Sequence, residues 1–299
     1  MIDLHTHSSF SDGDLSPETL INSAISQGLR AIALTDHDTI NGLESAKIAA
    51  KETSIRFIPG IEINISWQNE KIGLGPGGEF HLLGLGIKCP SPAFISAVDG
   101  LSRRREARNM EILDRIYELS MDTLFDQPLI DQKTAWDELK ALAGSGGSLG
   151  RPHFANFLVK QKIVKNVKMA FARYLGVGKP LYVPKEGLSF EEAAVLIRES
   201  GGIPVLAHPI SLYVAWGRLP EFIKILIDMG LLGLEAWHPT AKSSSCRRLE
   251  TLGKSLGLYI TEGSDFHGVV RPDRRLGYSG KYRKINDTVL ELIPELFQG

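Results

Sequence analysis

The sequence predicts an α/β protein whose strands form a barrel and whose middle carries an inserted helical subdomain. Three observations predict it. Short apolar runs recur, each closed by a polar cluster and most followed by a helical pattern, as in repeated β/α units. The rhythm breaks between residues 96 and 182, where the periodicity turns helical. Histidines and acids fall where the apolar runs end, and a β/α barrel gathers side chains from its strand ends at one mouth.

In chain order, the strand candidates are "MIDL", "AIALT" (31–35), "RFIPGIEI" (56–63), "FHLLGLGI" (80–87), "IPVLAH" (203–208), "LLGLEAW" (231–237) and "LYITEGSD" (258–265), about seven in all. Helices fit between them. The segment 17–28 opens with "SPE", a serine cap with proline in the first turn; 41–53 is alanine-rich; 189–200 reads "SFEEAAVLIRES", a serine cap with early acids. Segments 219–229 and 243–256 follow the same pattern. The "GLGPGG" at 73–78 lacks the lysine and following Ser/Thr of a phosphate-binding loop, and its place between the third and fourth strands suggests a hairpin-like extension.

Within the insertion, Ile112, Leu113, Ile116 and Leu119 recur at helical spacing, followed by "TAWDELKALAGSGG" and "RPHFANFLVKQKIVKNVKMAFARYLGVGK". No Asp or Glu occurs from residue 139 to 185, whereas Lys140, Arg151, Lys160, Lys162, Lys165, Lys168, Arg173, Lys179 and Lys185 all do. Such a basic insertion is a candidate anion-binding cap, with a solvated lysine face as the competing reading for Lys160 to Lys168. "RRRE" at 103–106 reads as an exposed helix face, and Trp67, Trp136, Trp216 and Trp237 as packing residues.

Composition narrows the function classes. With 299 residues, 43% of them hydrophobic, and a net charge of −1, the chain can bury a large core and shows no global attraction to nucleic acid or membranes. Cys89 and Cys246 are too few for a disulfide framework or a cysteine metal site, which suits a reducing cytoplasm. Residues 1–20 lack a basic start followed by an apolar run, and no stretch of about 18 apolar residues occurs, so an intracellular protein with neither membrane nor obligate protein partner is expected.

The strand ends carry the chemistry. His5 and His7 follow the first strand, Asp36 and His37 the second; His208 closes the fifth; Asp265 and His267 follow the seventh; Glu62 and His81 lie in or near the third and fourth. Imidazole and carboxylate together bind borderline divalent ions such as Zn²⁺, Mn²⁺ and Fe²⁺, and a His-x-His pair on extended chain points both rings the same way. One such pair is a weak signal, since a single histidine is ordinarily a satisfied core or surface residue. Six of the eight histidines so placed, with Asp12, Glu62 and Asp265, make a strong one.

Taken together, "DLHTHSSFSDG", "ALTDHDT", "PGIEI", "HLLGLGI", "VLAHP" and "GSDFH" resemble the PHP family, the polymerase and histidinol phosphatase superfamily of metal-dependent phosphoesterases. "GRPHFANFLV" and "GKPLYVPKEGLSFEEAAVLIRESGGIPVLAHP" resemble its branch of nucleoside 3′,5′-bisphosphate phosphatases and short-RNA 5′-to-3′ exonucleases. The resemblance implies a distorted seven-stranded (β/α)7 TIM-like barrel over 1–95 and 183–299, capped by a helical subdomain over 96–182, with three divalent ions. The first ion would take His5, His7, Glu62 and Asp265; Glu62 would bridge to a second held by His81 and His208; the third would take Asp12, His37 and His267. Many family members have histidine where this chain has Asp12, and a harder ligand there favours Mn²⁺, with Fe²⁺ or Zn²⁺ as alternatives.

Asp265, His208 and His238 would carry the catalytic roles, His238 by contacting substrate or protonating the leaving group, with a structural hydrogen bond as its plainer reading. Clustered divalent ions lower the pKa of a water and neutralise charge on a transferring phosphoryl group, so neither a cysteine nucleophile nor a covalent intermediate is required. Arg151, opening a helix after a glycine-rich stretch, is the candidate for a second phosphate, with His153, Lys179, Tyr182 and His238 as further substrate contacts. The expected substrate is a nucleoside bisphosphate or short RNA. A histidinol-phosphate-type monoesterase, an amidohydrolase-like enzyme and a non-catalytic metal-binding module are the alternatives.

Overall fold

The computed structural model describes residues 1–67, 75–121, 129–143, 149–280, 283–291 and 293. By chain contacts the protein divides into two compact units, Met1–Leu101 with Gly187–Gly299, and Ser102–Glu186.

The first unit is built on one seven-stranded sheet in sequential order: β1 (Ile2–Asp3), β2 (Ala31–Leu34), β3 (Arg56–Asn64), β4 (His81–Leu85), β5 (Ile203–Leu206), β6 (Gly233–Trp237) and β7 (Tyr259–Glu262). Beyond the formal ends of β1 and β7, Thr6 pairs in parallel with Phe266. There the Asp265 N–H donates to the His5 carbonyl at 2.9 Å and the His7 N–H to the Phe266 carbonyl at 2.9 Å, so the sheet nearly closes into a barrel.

Helices α1 (Pro17–Ser26) and α2 (Leu43–Ala50) follow β1 and β2; α7 (Phe190–Glu199), α8 (Leu219–Asp228) and α9 (Ser243–Ser255) surround β5 to β7. Their starts obey the local chemistry. The Ser16 hydroxyl accepts the Thr19 N–H ahead of Pro17, and the Ser189 hydroxyl accepts the Glu192 N–H.

One strand departs from the parallel β/α pattern. β4 runs antiparallel to both β3 and β5, while the pairs β1–β2, β2–β3, β5–β6 and β6–β7 are parallel. The link from β3 to β4 holds no described helix, so the chain returns as a hairpin and a parallel crossover is unavailable. Part of the glycine-rich 73–78 segment, residues 73 and 74, lies outside the described residues. The reversal matters for position: Asn64, the last residue of β3, pairs with His81, the first of β4. An amino-terminal residue of β4 thereby reaches the same end of the barrel as the carboxyl ends of the other strands.

Side-chain alternation sorts the core into layers. Ile2, Leu4, Ala31, Ala33, Ile58, Leu83, Leu85, Ile203, Val205 and Ala207 pack together as the barrel interior, joined by Ile285, Val289 and Ile293. Their neighbours face outward: Ile32 and Leu34 meet Leu20, Ile21 and Ala46 of α1 and α2, while Ile61, Ile63, Leu82 and Leu206 meet Phe190, Ile197 and Phe222 of α7 and α8.

The second unit is helical. It comprises most of α3 (Pro92–Met121) with α4 (Gln132–Ala143), α5 (Arg151–Lys160) and α6 (Val167–Ala170), the last running into a wider π turn over Phe171–Leu175. Its own core gathers Ile112, Leu113, Ile116, Leu139, Phe154, Phe157, Leu158 and Leu175. Most of the glycine-rich approach to Arg151, residues 144–148, lies outside the described residues.

Candidate metal centre

The inward rows of the strands lead directly to the ligand candidates. Glu62 continues the row of Ile58 along β3, and His81 that of Leu83 and Leu85 along β4. His208 falls out of phase with Val205 and Ala207, and a backbone φ of +27° turns its ring into the mouth. Asp265 also has a left-handed φ, +52°. Non-glycine residues held in such conformations concentrate at functional sites, where surrounding structure over-determines them.

Glu62 is the centre of the arrangement and is fully buried. Its Oε1 lies 2.9 Å from His81 Nδ1 and 2.9 Å from His208 Nε2. Its Oε2 lies 3.3 Å from both His5 Nε2 and His7 Nε2 and 3.0 Å from His37 Nδ1. Asp265 Oδ1 stands 3.5 Å from His5 Nε2 and 3.2 Å from His7 Nε2. Asp12 Oδ1 forms a second focus, 3.1 Å from His267 Nε2 and 3.8 Å from His37 Nε2. The donors overlap in three groups, each with its atoms within 4.8 Å of one another: His5, His7, Glu62, Asp265; His7, Asp12, His37, His267; and His37, Glu62, His81.

Whether these residues suit a cation can be read from their unmet valences. His5 Nε2, His7 Nε2, Asp12 Oδ1, His37 Nδ1, Glu62 Oε2 and His81 Nε2 are buried with no hydrogen-bond partner among the described residues, although they crowd one another. An unmet buried polar atom costs about 1–3 kcal/mol, so six in one cluster describe a donor set that divalent ions would satisfy. The electrostatics agree. Burial alone would raise the carboxyl of Glu62, but His37, His5 and His81 hold it well below the usual range. Asp265, beside His267 and His5, and Asp12, beside His267 and His37, are likewise held well below it against burial. His7 is pushed up to about 10, the pull of Asp265 and Glu62 outweighing burial, whereas burial takes His37 down to about 4.

His238 joins the same cluster. Its Nε2 lies 3.2 Å from Asp265 Oδ2 and its Nδ1 2.6 Å from Thr240 Oγ1. The remaining substrate candidates lie in the helical unit. The Arg151 guanidinium stands over the Tyr182 ring at 5.5 Å and donates to the Leu175 carbonyl at 3.5 Å. His153 Nδ1 accepts the Gly150 N–H at 3.0 Å, closing the first turn of α5. Lys179 is exposed and heads the turn in which the Tyr182 N–H donates to its carbonyl at 2.9 Å.

Sequence reasoning passed over several residues. Glu235 of β6 is buried; its Oε1 meets His5 Nδ1 at 3.0 Å and its Oε2 accepts the His208 N–H at 2.7 Å. It therefore fixes two ligand candidates at once, and the available signal was an acid inside the apolar run "LLGLEAW". Gly263 permits this approach, since a Cβ there would come within 2.3 Å of the His5 Cβ and 2.6 Å of Glu235 Oε1. Asp36, one of the strand-end residues, falls in none of the donor groups; it accepts from the Ser8 and Ser11 hydroxyls, each at 2.6 Å, bracing the loop that carries Asp12. Ser211 Oγ lies 2.7 Å from His208 Nδ1. Arg274 is buried, with Nη1 3.2 Å from His238 Nε2 and 3.5 Å from Asp265 Oδ2; nothing in its polar surroundings in the sequence marked it.

Comparison with known proteins places this geometry. The family model described as "PHP domain" matches residues 3–177. The chain belongs to the PHP domain family. A 5′-3′ exoribonuclease of Haemophilus influenzae is 35% identical over 89% of this chain and 89% of its own length. A 3′,5′-nucleoside bisphosphate phosphatase of Chromobacterium violaceum is 31% identical over 93% of this chain and 91% of its own. A solved structure from Bifidobacterium adolescentis, described as a candidate metal-dependent phosphoesterase, superposes with a TM-score of 0.79 at 28% identity, covering 98% of this chain and 96% of that one. The PHP chain is thus a metal-dependent phosphoric ester hydrolase on a nearly closed seven-stranded α/β barrel. Its His/Asp/Glu cluster suits divalent metals, and no described helix is long and apolar enough to cross a membrane.

Proposed function

We propose that this PHP protein removes the 3′-phosphate from nucleoside 3′,5′-bisphosphates, converting adenosine 3′,5′-bisphosphate to AMP, and that it also degrades short 5′-phosphorylated RNA from the 5′ end. The observation that carries the reading is the sharing of Glu62, whose two oxygens serve two sets of imidazoles beside Asp265. The relatives named for a bisphosphate phosphatase and an exoribonuclease support the substrate class. So does an acid-free stretch of the helical unit that includes Arg151.

In this reading three divalent ions, Mn²⁺ before Fe²⁺ or Zn²⁺, lie among His5, His7, Glu62 and Asp265, then Glu62, His81 and His208, then Asp12, His37 and His267. Held there, they would supply Lewis acidity, lowering the pKa of a water and neutralising charge on the phosphoryl group. The chain does the positioning. Glu235 fixes the His5 ring and the His208 backbone, and Ser211 orients the His208 ring through Nδ1. His238 Nε2, held beside Asp265 Oδ2, is assigned to proton delivery to the leaving oxygen, with Thr240 at its other nitrogen. Arg151, with Tyr182, Lys179 and His153 in the same unit, is assigned to the phosphate that is not cleaved. Two free cysteines, Cys89 exposed and Cys246 buried, fit a cytoplasmic setting.

The test compares phosphate release by the Mn²⁺-loaded protein from adenosine 3′,5′-bisphosphate, histidinol phosphate and AMP at equal concentration. Strong preference for the bisphosphate, yielding AMP, is expected. Equal turnover of all three, or preference for histidinol phosphate, would withdraw the nucleotide assignment.

A further inference from the structure

Three arginines fall within residues 271–275, and the chain buries one of them. Arg271 and Arg275 are exposed, whereas Arg274 is 6% exposed. Its backbone is fixed on both sides. The Arg274 N–H donates to the Arg271 carbonyl at 2.9 Å, Leu276 is buried, and the Gly277 N–H donates to Asp3 Oδ2 at 2.7 Å. A braced segment thereby delivers the guanidinium to the mouth of the barrel, with Nη1 3.2 Å from His238 Nε2 and 3.5 Å from Asp265 Oδ2.

These partners do not account for a buried cation. Asp265 Oδ2 is a loose ion-pair partner at 3.5 Å, and it is shared with His238 Nε2 at 3.2 Å. Nε lies 3.2 Å from the exposed Asp273 carboxylate yet has no hydrogen-bond partner among the described residues. A buried guanidinium so weakly paired is a net cost to the fold. The Asp265 carboxylate is divided as well: Oδ1 faces His5 and His7 within their donor group, at 3.5 and 3.2 Å, while Oδ2 faces Arg274 and His238. Divalent ions among those donors would make the mouth positive and repel the guanidinium further. Neither the fold nor the ions gain from a cation here. An arriving phosphate does, because it carries the negative charge that both lack.

We propose that Arg274 is a further catalytic residue of this hydrolase, one whose guanidinium holds a non-bridging oxygen of the reacting phosphoryl group beside His238. The inference rests on phosphoester hydrolysis and on the place given to His238 above, and not on the choice of nucleotide. Nη1 adjoins the nitrogen assigned to the leaving oxygen, so a phosphoryl group whose leaving oxygen meets His238 Nε2 brings its other oxygens within reach of the same guanidinium. Charge is spread over those oxygens as the ester bond breaks, and a donor already fixed in place strengthens its hold at that moment without reorganising. Arg274 moves no proton and forms no bond to phosphorus. It serves the phosphate that is cleaved, so every phosphoester depends on it, whereas Arg151 is assigned to the phosphate that is spared.

The experiment compares the Mn²⁺-loaded wild type with Arg274→Ala and Arg274→Lys in turnover of adenosine 3′,5′-bisphosphate and of an aryl phosphate, in competition by orthovanadate, and in metal titration by calorimetry. Arg274→Ala is expected to lower kcat for both esters about a hundredfold, the loss that follows removal of one preorganised donor. Guanidinium ion, at concentrations far below denaturing, should recover about tenfold of that loss, and urea, similar in shape but uncharged, none of it. Orthovanadate, which adopts the five-coordinate geometry of a transferring phosphoryl group, should bind about tenfold more weakly while metal affinity is unchanged. Wild-type kcat in Arg274→Ala, rescue by urea equal to that by guanidinium or absent with both, or a loss fully explained by weaker metal binding would overturn the assignment. Should Arg274→Ala fail to fold, Arg274→Lys, which keeps the charge without the planar fork, should lose about tenfold in kcat and in vanadate affinity, and wild-type values there overturn it equally. Wild-type turnover of the aryl phosphate alone, lost in Arg274→Ala, would keep the catalytic arginine and sink the nucleotide reading. Bisphosphate turnover undiminished in Arg274→Ala would do the reverse.

Discussion

In the barrel unit, the carboxylates of Asp12, Glu62 and Asp265 sit among His5, His7, His37, His81, His208 and His267; in the helical unit, Arg108 is buried with an unmet donor and Arg151 stands over an aromatic ring. Both regions hold polar atoms that protein alone leaves unsatisfied, and the sets differ. The barrel's donor set is rich in lone pairs and calls for cations. Among the described residues of the helical unit the atoms without a hydrogen-bond partner are mixed, one donor at Arg108 Nη2 and two acceptors at Asn109 Oδ1 and Glu138 Oε2, and the anion proposed for this unit would answer only a donor. A metal-dependent phosphoesterase needs both cations and donors, since its substrate is an anion that must be held while ions neutralise the reacting phosphate. Variants on each side should therefore fail differently.

The largest effects belong to the barrel. His7→Ala removes an imidazole shared between two donor groups, and Asp265→Asn removes the carboxylate charge from one of them. Losing several kcal/mol of charge stabilisation lowers kcat on the order of a thousandfold for every phosphoester tested, bisphosphate and simple aryl phosphate alike. Steady-state assays on both substrates, with circular dichroism to confirm folding, check this. Full activity in either variant would remove the metal assignment.

Glu235→Gln comes next. Glu235 touches the centre through His5 and the His208 backbone, so the amide leaves one of these N–H groups facing a donor. Residues that orient metal ligands typically contribute about 10–100-fold in metal affinity or activity. Metal titration by calorimetry should show weakened binding with the melting temperature little changed; unchanged affinity would make Glu235 a purely structural acid.

Arg151→Ala tests the other side. A hydrogen-bonded charge contributes about 1.5–3 kcal/mol, so kcat/KM for the bisphosphate should fall roughly 10- to 150-fold while that for an aryl phosphate stays nearly level. Equal losses on both substrates would mean that the arginine supports the fold and not a second phosphate.

The two regions also differed in how much the sequence disclosed. Metal candidates were legible from histidines and acids at strand ends and from the family resemblance, and the strand's period of two explains the placement of two of them: Glu62 and His81 continue the rows of Ile58 and Leu83. The direction of β4 was hinted at only by the connecting segment, whose 73–78 stretch suggested a hairpin-like extension, because a hairpin and a crossover do not differ in the strand's own alternation. The φ of +27° at His208, which lets a residue out of phase reach the centre, was not legible. Glu235 hid as one acid in an apolar run, its partners 230 and 27 residues away. In the helical unit the exposed face was foreseen, and Arg103 and Arg104 are exposed. Arg108 was missed because charge composition drew attention away from its helical phase, which alone shows it pointing inward.

The smallest effect sharpens where the anion-binding region stops. Lys160 Nζ pairs with Glu138 at 2.8 Å and its side chain is 58% exposed, which makes it part of a solvated face. Exposed pairs contribute about 0–1 kcal/mol, and solvent screens Lys160 from any phosphate that Arg151 would hold. Lys160→Ala should change kcat/KM for the bisphosphate by less than about twofold, with a melting shift of a few degrees at most. Its salt dependence should match the wild type, because an exposed lysine that does not touch the ligand contributes no counterion release of its own. A tenfold loss confined to the bisphosphate would extend the anion site from Arg151 onto the lysine face, and the helical unit would then bind by a broad basic surface in place of a defined pocket.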